Sequence, residues 1–319
     1  MSRTSPTDHP TMRPFDLLLP GEINPDLILS GDVEPQFGQA EKRVDSAHLT
    51  VGSSSVITAC GAARLGLKVA FIGICGADLF GRFMLEEMQL RGVDTSAVLV
   101  DPLQATGLTV ILNKGHDRAM LTFPGAIAAL RADQVSDDLL RRARHLHVAS
   151  YFLQDALRPG LPDLFHRARA LGLTTSLDTN WDPAGRWEGV LDLLPLVDVF
   201  LPNAAEACAL SGETDVTRAA RRLADLARTV AVKLGAEGAL SVHAAQTIHV
   251  PSIPVDVVDT VGAGDTFDAG FLYGYLHGWT LEKSLRLAAI CGALSTRAAG
   301  GVAAQPTLDE VITVMDGGR

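Results

Sequence analysis

The stretch from Asp259 to Gly278, DTVGAGDTFDAGFLYGYLHG, holds the residue types best suited to chemistry. Gly262-Ala263-Gly264 permits a tight turn, and the spacing of Phe267, Phe271 and Leu272 predicts an amphipathic helix directly after it. The apolar run IPVDVV, residues 253–258, leads in as a strand. Strand, glycine turn and helix start together make a phosphate site. The first N–H groups of a helix have no internal acceptor, the macrodipole favours an anion there, and glycine removes the Cβ that would obstruct approach. Asp265 lies inside this anion site. Its carboxylate either stabilises the helix start or accepts a hydroxyl proton while a phosphoryl group docks beside it. In the second case the amides of Gly262, Ala263 and Gly264 stabilise the developing charge.

Such a turn needs a sheet to hold it. Short apolar runs at residues 15–19, 69–74, 145–149, 174–177, 197–201 and 229–234 read as strands buried on both faces. Helical stretches at 56–66, 79–91, 137–143, 161–171, 204–211 and 216–228 fall between them, and 280–298 reads as a long helix capped by Thr280. This βαβα order predicts an α/β fold: a three-layer αβα sandwich around a mostly parallel central sheet, with right-handed crossovers. Residues 27–50 and 106–124 break the pattern with short alternating strands. They predict either a small β lid, which a water-excluding site needs, or two ordinary surface hairpins. Residues 1–14 read as a disordered lead-in and 15–316 as one domain.

Composition excludes several functions. The chain has 319 residues, 37 of them acidic and 27 basic, for a net charge of −10. That balance argues against binding nucleic acid or an anionic membrane. No apolar run is long enough to cross a bilayer, and the N-terminal MSRTSPTDHPTMRP lacks the apolar centre of a signal peptide. Cysteines at 60, 75, 208 and 291 form no close pair and read as reduced thiols in the cytoplasm. No G-x-x-x-x-G-K-[ST] occurs, and no G-x-G-x-x-G follows the first strand, so neither a P-loop nor a dinucleotide fold is indicated.

DTVGAGDTFDAGF resembles the C-terminal signature of the ribokinase-like (PfkB) carbohydrate kinase family. The resemblance implies that Asp265 is a catalytic base and that the Gly262–Gly264 backbone is an anion hole. The implied reaction moves the γ-phosphoryl group of ATP, with Mg2+, to a hydroxyl of a small sugar or sugar acid. A nucleoside kinase of the same fold is the alternative, and a retired ligand-binding regulator a third. Asn203-Ala-Ala-Glu206 matches the family's N-x-x-E motif, which places Asn203 at ATP and Glu206 at magnesium through water. By themselves these residues also spell a helix capping box. VKLGAEG, residues 232–238, resembles the strand and turn that lie against the nucleotide, with Gly235 and Gly238 allowing close approach; Lys233 either faces phosphate or merely flanks a strand. The helix around residues 289–292, with Cys291, and the turn Gly300-Gly301 match the segment that frames adenine.

Substrate residues are expected near the first strand. Asn24 and Asp26, two apart on an extended chain, project to one side at the end of that strand, or else form an Asn-Pro-Asp turn. In the family an Asp here pairs with sugar hydroxyls. Gly52-Ser53-Ser54-Ser55-Val-Ile57 occupies the place of the N-terminal signature and departs from it. Ser53 stands where a second glycine is usual, and Ile57 where a substrate-binding Asn is usual. Ile57 has no hydrogen-bonding side chain, so specificity should change, with the serines as the polar groups left. Asp178-Thr-Asn180 resembles the family's D-x-N segment near substrate, or is a polar turn. Arg118 sits where some relatives have a substrate-contacting lid arginine. Many relatives bind potassium beside the loop that holds Asp259, which leaves a monovalent cation site open there. The lid edge implies a homodimer.

Overall fold

Strand β1 (Phe15–Pro20) is an interior strand of a nine-stranded sheet, third from one edge. The chain then leaves that sheet for β2 (Pro25–Ser30) and β3 (Ser46–Val51) and returns at β4 (Val69–Ile72). Next come β5 (Ile74–Gly76), β6 (Val93–Asp94) and β7 (Leu99–Asp101), with β5 and β7 pairing to each other. An excursion follows through β8 (Leu108–Lys114) and β9 (Asp117–Phe123). The remaining strands are β10 (Ala143–Val148), β11 (Thr174–Leu177), β12 (Val199–Phe200), β13 (Thr229–Lys233), β14 (Ala239–His243) and β15 (Gln246–Val250). The central order is β15-β14-β13-β12-β11-β10-β1-β4-β6, parallel from β6 to β13 and antiparallel in the last hairpin. This computed structural model describes residues 13–114, 117–244 and 246–317.

Alternation along the strands builds the three layers. Leu18, Leu146, Leu177 and Val230 pack under one helical layer with Leu161, Leu164 and Phe165. Leu17, Leu19, Phe71 and Ala231 face the other, with Phe267, Phe271 and Leu287. The excursions form one four-stranded sheet, β3-β2-β8-β9, as the lid expectation requires.

Three expectations need correction. Helix 263–276 is not amphipathic: every residue from Asp265 to Gly274 is buried, because the sheet lies on one side and helices 54–64 and 281–295 on others. Residues 253–258 are not a strand. Pro254 denies the segment an N–H donor, and Val257 and Val258 stay exposed. Of the 1–14 lead-in, residues 1–12 lie outside the described residues. Arg13, however, is held: its guanidinium donates to Ala143 O at 2.7 Å and to Leu171 O at 2.6 Å.

Candidate active site

Gly262 caps helix 263–276 in the left-handed region, with φ of 73°. A side chain there would be strained, and its Cβ would also stand 2.6 Å from Gly301 Cα. The helix therefore begins on a turn that only glycine fits. Its first N–H groups have no acceptor inside the helix. Ala263 N already reaches Thr260 O at 3.3 Å, which leaves the N–H groups of Gly262, Gly264 and Asp265 open.

Two cavities meet at this turn, and Thr260 lines both. The first, about 490 Å³, is mainly apolar and includes Lys233, Gly235, Gly238, Gly264, Phe267 and Gly292. The second, about 480 Å³, lies between the lid and residues 257–261, and Asn113, Asp117, Arg118 and Asp259 give it a polar wall.

Asp265 is buried, and its carboxyl is pushed up to about 8. Burial is the main cause and Asp178 adds repulsion, while Lys233 and the Ser54 hydroxyl oppose them. Asp178, Asp265 and Asp268 bring carboxylate oxygens within 4.8 Å of one another. The Lys233 ammonium binds two of them, 2.8 Å from Asp178 Oδ2 and 2.9 Å from Asp268 Oδ2. Burial works against ionising Asp178, but Lys233 and the hydrogen bonds from Asp268 and Asn180 N together outweigh it and hold this carboxyl below the usual range. Burial raises Asp268 well above it, with Lys233 opposing.

Asn203 caps helix 204–211 and completes the capping box. Glu206 N donates to Asn203 Oδ1 at 2.9 Å, and Asn203 N donates to Glu206 Oε2 at the same distance. Burial, then repulsion from Asp178, lifts Glu206 to about 7. Lys233 and the Asn203 hydrogen bonds oppose the shift, and a divalent cation would add to them, so capping and metal binding are compatible in this pair.

On the acceptor side, Asp26 is not at the end of β1. It is the second residue of β2, opposite Thr50 and Thr109. Gly52 is needed beside it, because a Cβ there would stand 2.3 Å from Asp26 Oδ1. Asn24 Nδ2 lies 3.4 Å from that same oxygen. Burial pushes Asp26 up to about 7, against the pull of Arg118 and with the help of Asp259. Arg118 Nη1 is 3.9 Å from Asp259 Oδ1.

Several assignments move. Ser53 does not face the acceptor: its hydroxyl donates to Glu22 O at 2.7 Å and caps Val56 N. Ser54 is the half-exposed serine, accepting from Asn180 Nδ2 at 2.6 Å. Asp178 is fully enclosed and spent on Lys233, so it is an electrostatic partner and not a sugar contact. Cys291 points into the core against Gly270, while its neighbours Ala289, Gly292 and Ala293 line the first cavity. Gly238 is required by the hairpin, since its Cβ would stand 2.1 Å from Val250 O. Gly300-Gly301 packs on the catalytic turn and on Asp259 instead of on the first cavity, with Gly300 N donating to Asp259 Oδ2 at 2.9 Å. Ile57 is buried against Gly262 and Gly301, and so buttresses the turn.

Two groups of residues went unread in the sequence. Buried Glu22 accepts from the hydroxyls of Ser55 at 2.6 Å and Ser150 at 2.8 Å, tying three loops together. A polar row also crosses the core between β10 and β11. Thr174, His145, Ser176 and His147 are linked at 2.7, 2.6 and 2.7 Å, ending near Asp178. Its signal was present as H-x-H and T-x-S-x-D at strand period, hidden inside runs taken as apolar.

A lidded αβα sandwich with an aspartate at a helix start between two cavities defines a phosphoryl-transfer enzyme of the ribokinase-like fold. The chain belongs to the pfkB family of carbohydrate kinases, whose profile matches residues 20–308. It is 34% identical over 231 residues to an uncharacterised sugar kinase of Archaeoglobus fulgidus, covering 71% of this chain and 90% of that one. It is 32% identical over 277 residues to the 2-dehydro-3-deoxygluconokinase of Bacillus subtilis, covering 82% and 85%. A candidate ribokinase II of E. coli, crystallised with ATP and Mg2+, superposes with a TM-score of 0.84 at 25% identity, covering 95% of this chain and 99% of that one.

Proposed function

We propose that this chain transfers the γ-phosphoryl group of ATP to a hydroxyl of a small sugar or sugar acid, with Asp265 as the base. One observation carries the reading: a buried carboxylate stands at a helix start whose open N–H groups lie where two cavities meet. A carboxyl raised to about 8 is a strong base for a carboxylate, and its ionised form takes the hydroxyl proton. The apolar cavity suits adenine and ribose, with the Gly264 and Asp265 amides turned toward phosphate. Asp26 and Asn24 orient the acceptor hydroxyls, and Arg118 offers a cation to an acidic acceptor. That cation, together with the gluconokinase relative, favours a sugar acid over a nucleoside.

Asn203 and Glu206 would hold magnesium through water, and the bound ion would neutralise charge on the phosphates. A monovalent cation beside Asp259 fits less well. Both its oxygens accept backbone N–H groups, and Arg118 already supplies positive charge. Turnover compared in potassium and sodium buffers tests this. The exposed Met120, Leu121 and Phe123 on edge strand β9 support a homodimer through the lid, to be checked by light scattering. Among the described residues no helix is long and apolar enough to cross a membrane. The four cysteines are free thiols, which suits the reducing cytoplasm.

The test is direct. Purified protein is incubated with ATP, magnesium and a panel of sugars, sugar acids and nucleosides, and products are read by mass spectrometry. Phosphorylated sugars or sugar acids are expected. Product from nucleosides alone would favour the alternative, and no product from any acceptor would overturn the reading.

A further inference from the structure

Asp268 lies one helical turn beyond Gly264 and is fully buried. It shares the Lys233 ammonium with Asp178, so one cation ties the end of β11, the end of β13 and helix 263–276. The Lys233 side chain also lines the nucleotide cavity. Its Nζ stands 3.6 Å from where a Cβ on Gly264 would be. Asp178 alone would fix only one contact of a long, rotatable side chain. A second carboxylate on the helix itself sets where the ammonium sits along that helix, beside the turn that carries Asp265.

We propose that Asp268 is a positioning residue: it holds the Lys233 ammonium against the first turn of helix 263–276 and so fixes the positive charge presented to Asp265 and to the nucleotide phosphates. This rests on the reading of Asp265 as base. The charged and polar groups facing Asp265 are Asp178 from the end of β11, Lys233 from β13, Glu22 from the end of β1, the Ser54 hydroxyl from helix 54–64 and Asp268 itself, within 4.8 Å, whose carboxyl burial raises so that it adds little charge of its own. Glu206 and His147 act on the Asp178–Lys233 pair behind them. Lys233 is the cation acting on Asp265, so displacing it makes that carboxyl harder to ionise.

The test is a double-mutant cycle on the pH profile of kcat/KM for the acceptor at saturating ATP. Lys233→Met should move the acidic limb to higher pH by about one pH unit. Asp268→Ala should move it the same way by a smaller amount and lower kcat by about 10-fold, with Asp268→Asn falling between it and the wild type. Because Asp268 acts through Lys233, the double variant should be no worse than Lys233→Met alone. Asp268→Asn keeps an oxygen for the ammonium and so keeps the test open should Asp268→Ala fold poorly. An unmoved limb in Asp268→Ala and Asp268→Asn, or additive losses in the double variant, would overturn the proposal. Near wild-type turnover of Asp265→Asn would instead remove the base assignment on which it rests.

Discussion

The hydroxyl of Ser53 donates to the backbone carbonyl of Glu22 at 2.7 Å and lies 3.0 Å from its carboxylate, joining the end of β1 to the start of helix 54–64. Ser53 reaches this position with φ of 66°, in backbone space that side chains seldom enter. Ser150 and Asn180, at φ of 51° and 52°, belong to the same hydrogen-bonded group. Three strained residues are thus held around one buried carboxylate beside the proposed base, a placement typical of sites that must be rigid.

Removing that carboxylate should be costly. Glu22→Ala leaves the Ser55 and Ser150 hydroxyls and Ser55 N without their common acceptor, while the Ser53 hydroxyl keeps Glu22 O. A stranded buried donor costs about 1–3 kcal/mol, so a loss of about 3 kcal/mol or more is expected. Urea titration checks it, and a change within about 0.5 kcal/mol would show that the network contributes nothing net.

Glu206 carries two roles that substitution can separate. Glu206→Gln keeps an oxygen for the cap of helix 204–211, whereas Glu206→Ala loses it, at about 1 kcal/mol. Both remove the charge offered to magnesium. Each should raise the magnesium concentration for half-maximal activity by about 10-fold or more, while only the alanine variant loses stability. Magnesium titrations and thermal melts of both variants decide it; unchanged magnesium dependence would leave Glu206 as a cap alone.

The layers, the lid and the helix start at Ala263 were legible because period-2 and period-3.6 patterns and glycine placement act locally. Cys291 was misplaced because a helix position does not reveal which side faces a cavity when both sides are buried. Asp178 was misread because its partners Lys233 and Asp268 lie 55 and 90 positions further on, and no spacing rule joins them. Hairpin β14–β15 went unseen since QTIHV has no continuous apolar run. Glu22 and Asp268 did leave a trace: each is a carboxylate set among apolar residues, which demands a buried partner.

Buried carboxyls should also set how stability varies with pH. In the folded protein Asp265 is raised to about 8, and Asp26 and Glu206 to about 7, from ordinary values of 3.8, 3.8 and 4.5. The folded state therefore keeps protons that the unfolded chain has released, and stability falls as pH rises through 7 and 8. Below about 6.5 the buried His145 and His147, both lowered, act in the opposite sense. Between pH 6.5 and 9 the ligand-free protein should thus lose a few degrees of Tm. A flat or rising Tm over that range would mean these carboxylates are already compensated.

Arg118 should govern the acceptor and leave the chemistry alone. It stands on lid strand β9, partly exposed, and reaches over the second cavity toward Asp259. It touches the catalytic loop only through a loose 3.9 Å pairing with Asp259, whose carboxylate is already held by Val261 N and Gly300 N, so kcat should change little in Arg118→Ala. Binding is different: a guanidinium pairs with a carboxylate in two parallel hydrogen bonds, which a neutral sugar cannot match. KM should therefore rise by about 10-fold for a sugar acid and much less for its neutral counterpart, with Arg118→Lys intermediate because it keeps charge but not the fork. Losing Arg118 also removes the cation that pulls Asp26 down, so the penalty should ease toward acidic pH, where Asp26 is protonated in both proteins. Steady-state kinetics on a matched acid and neutral pair check this, and equal KM changes for both would place Arg118 in lid closure instead of acceptor recognition.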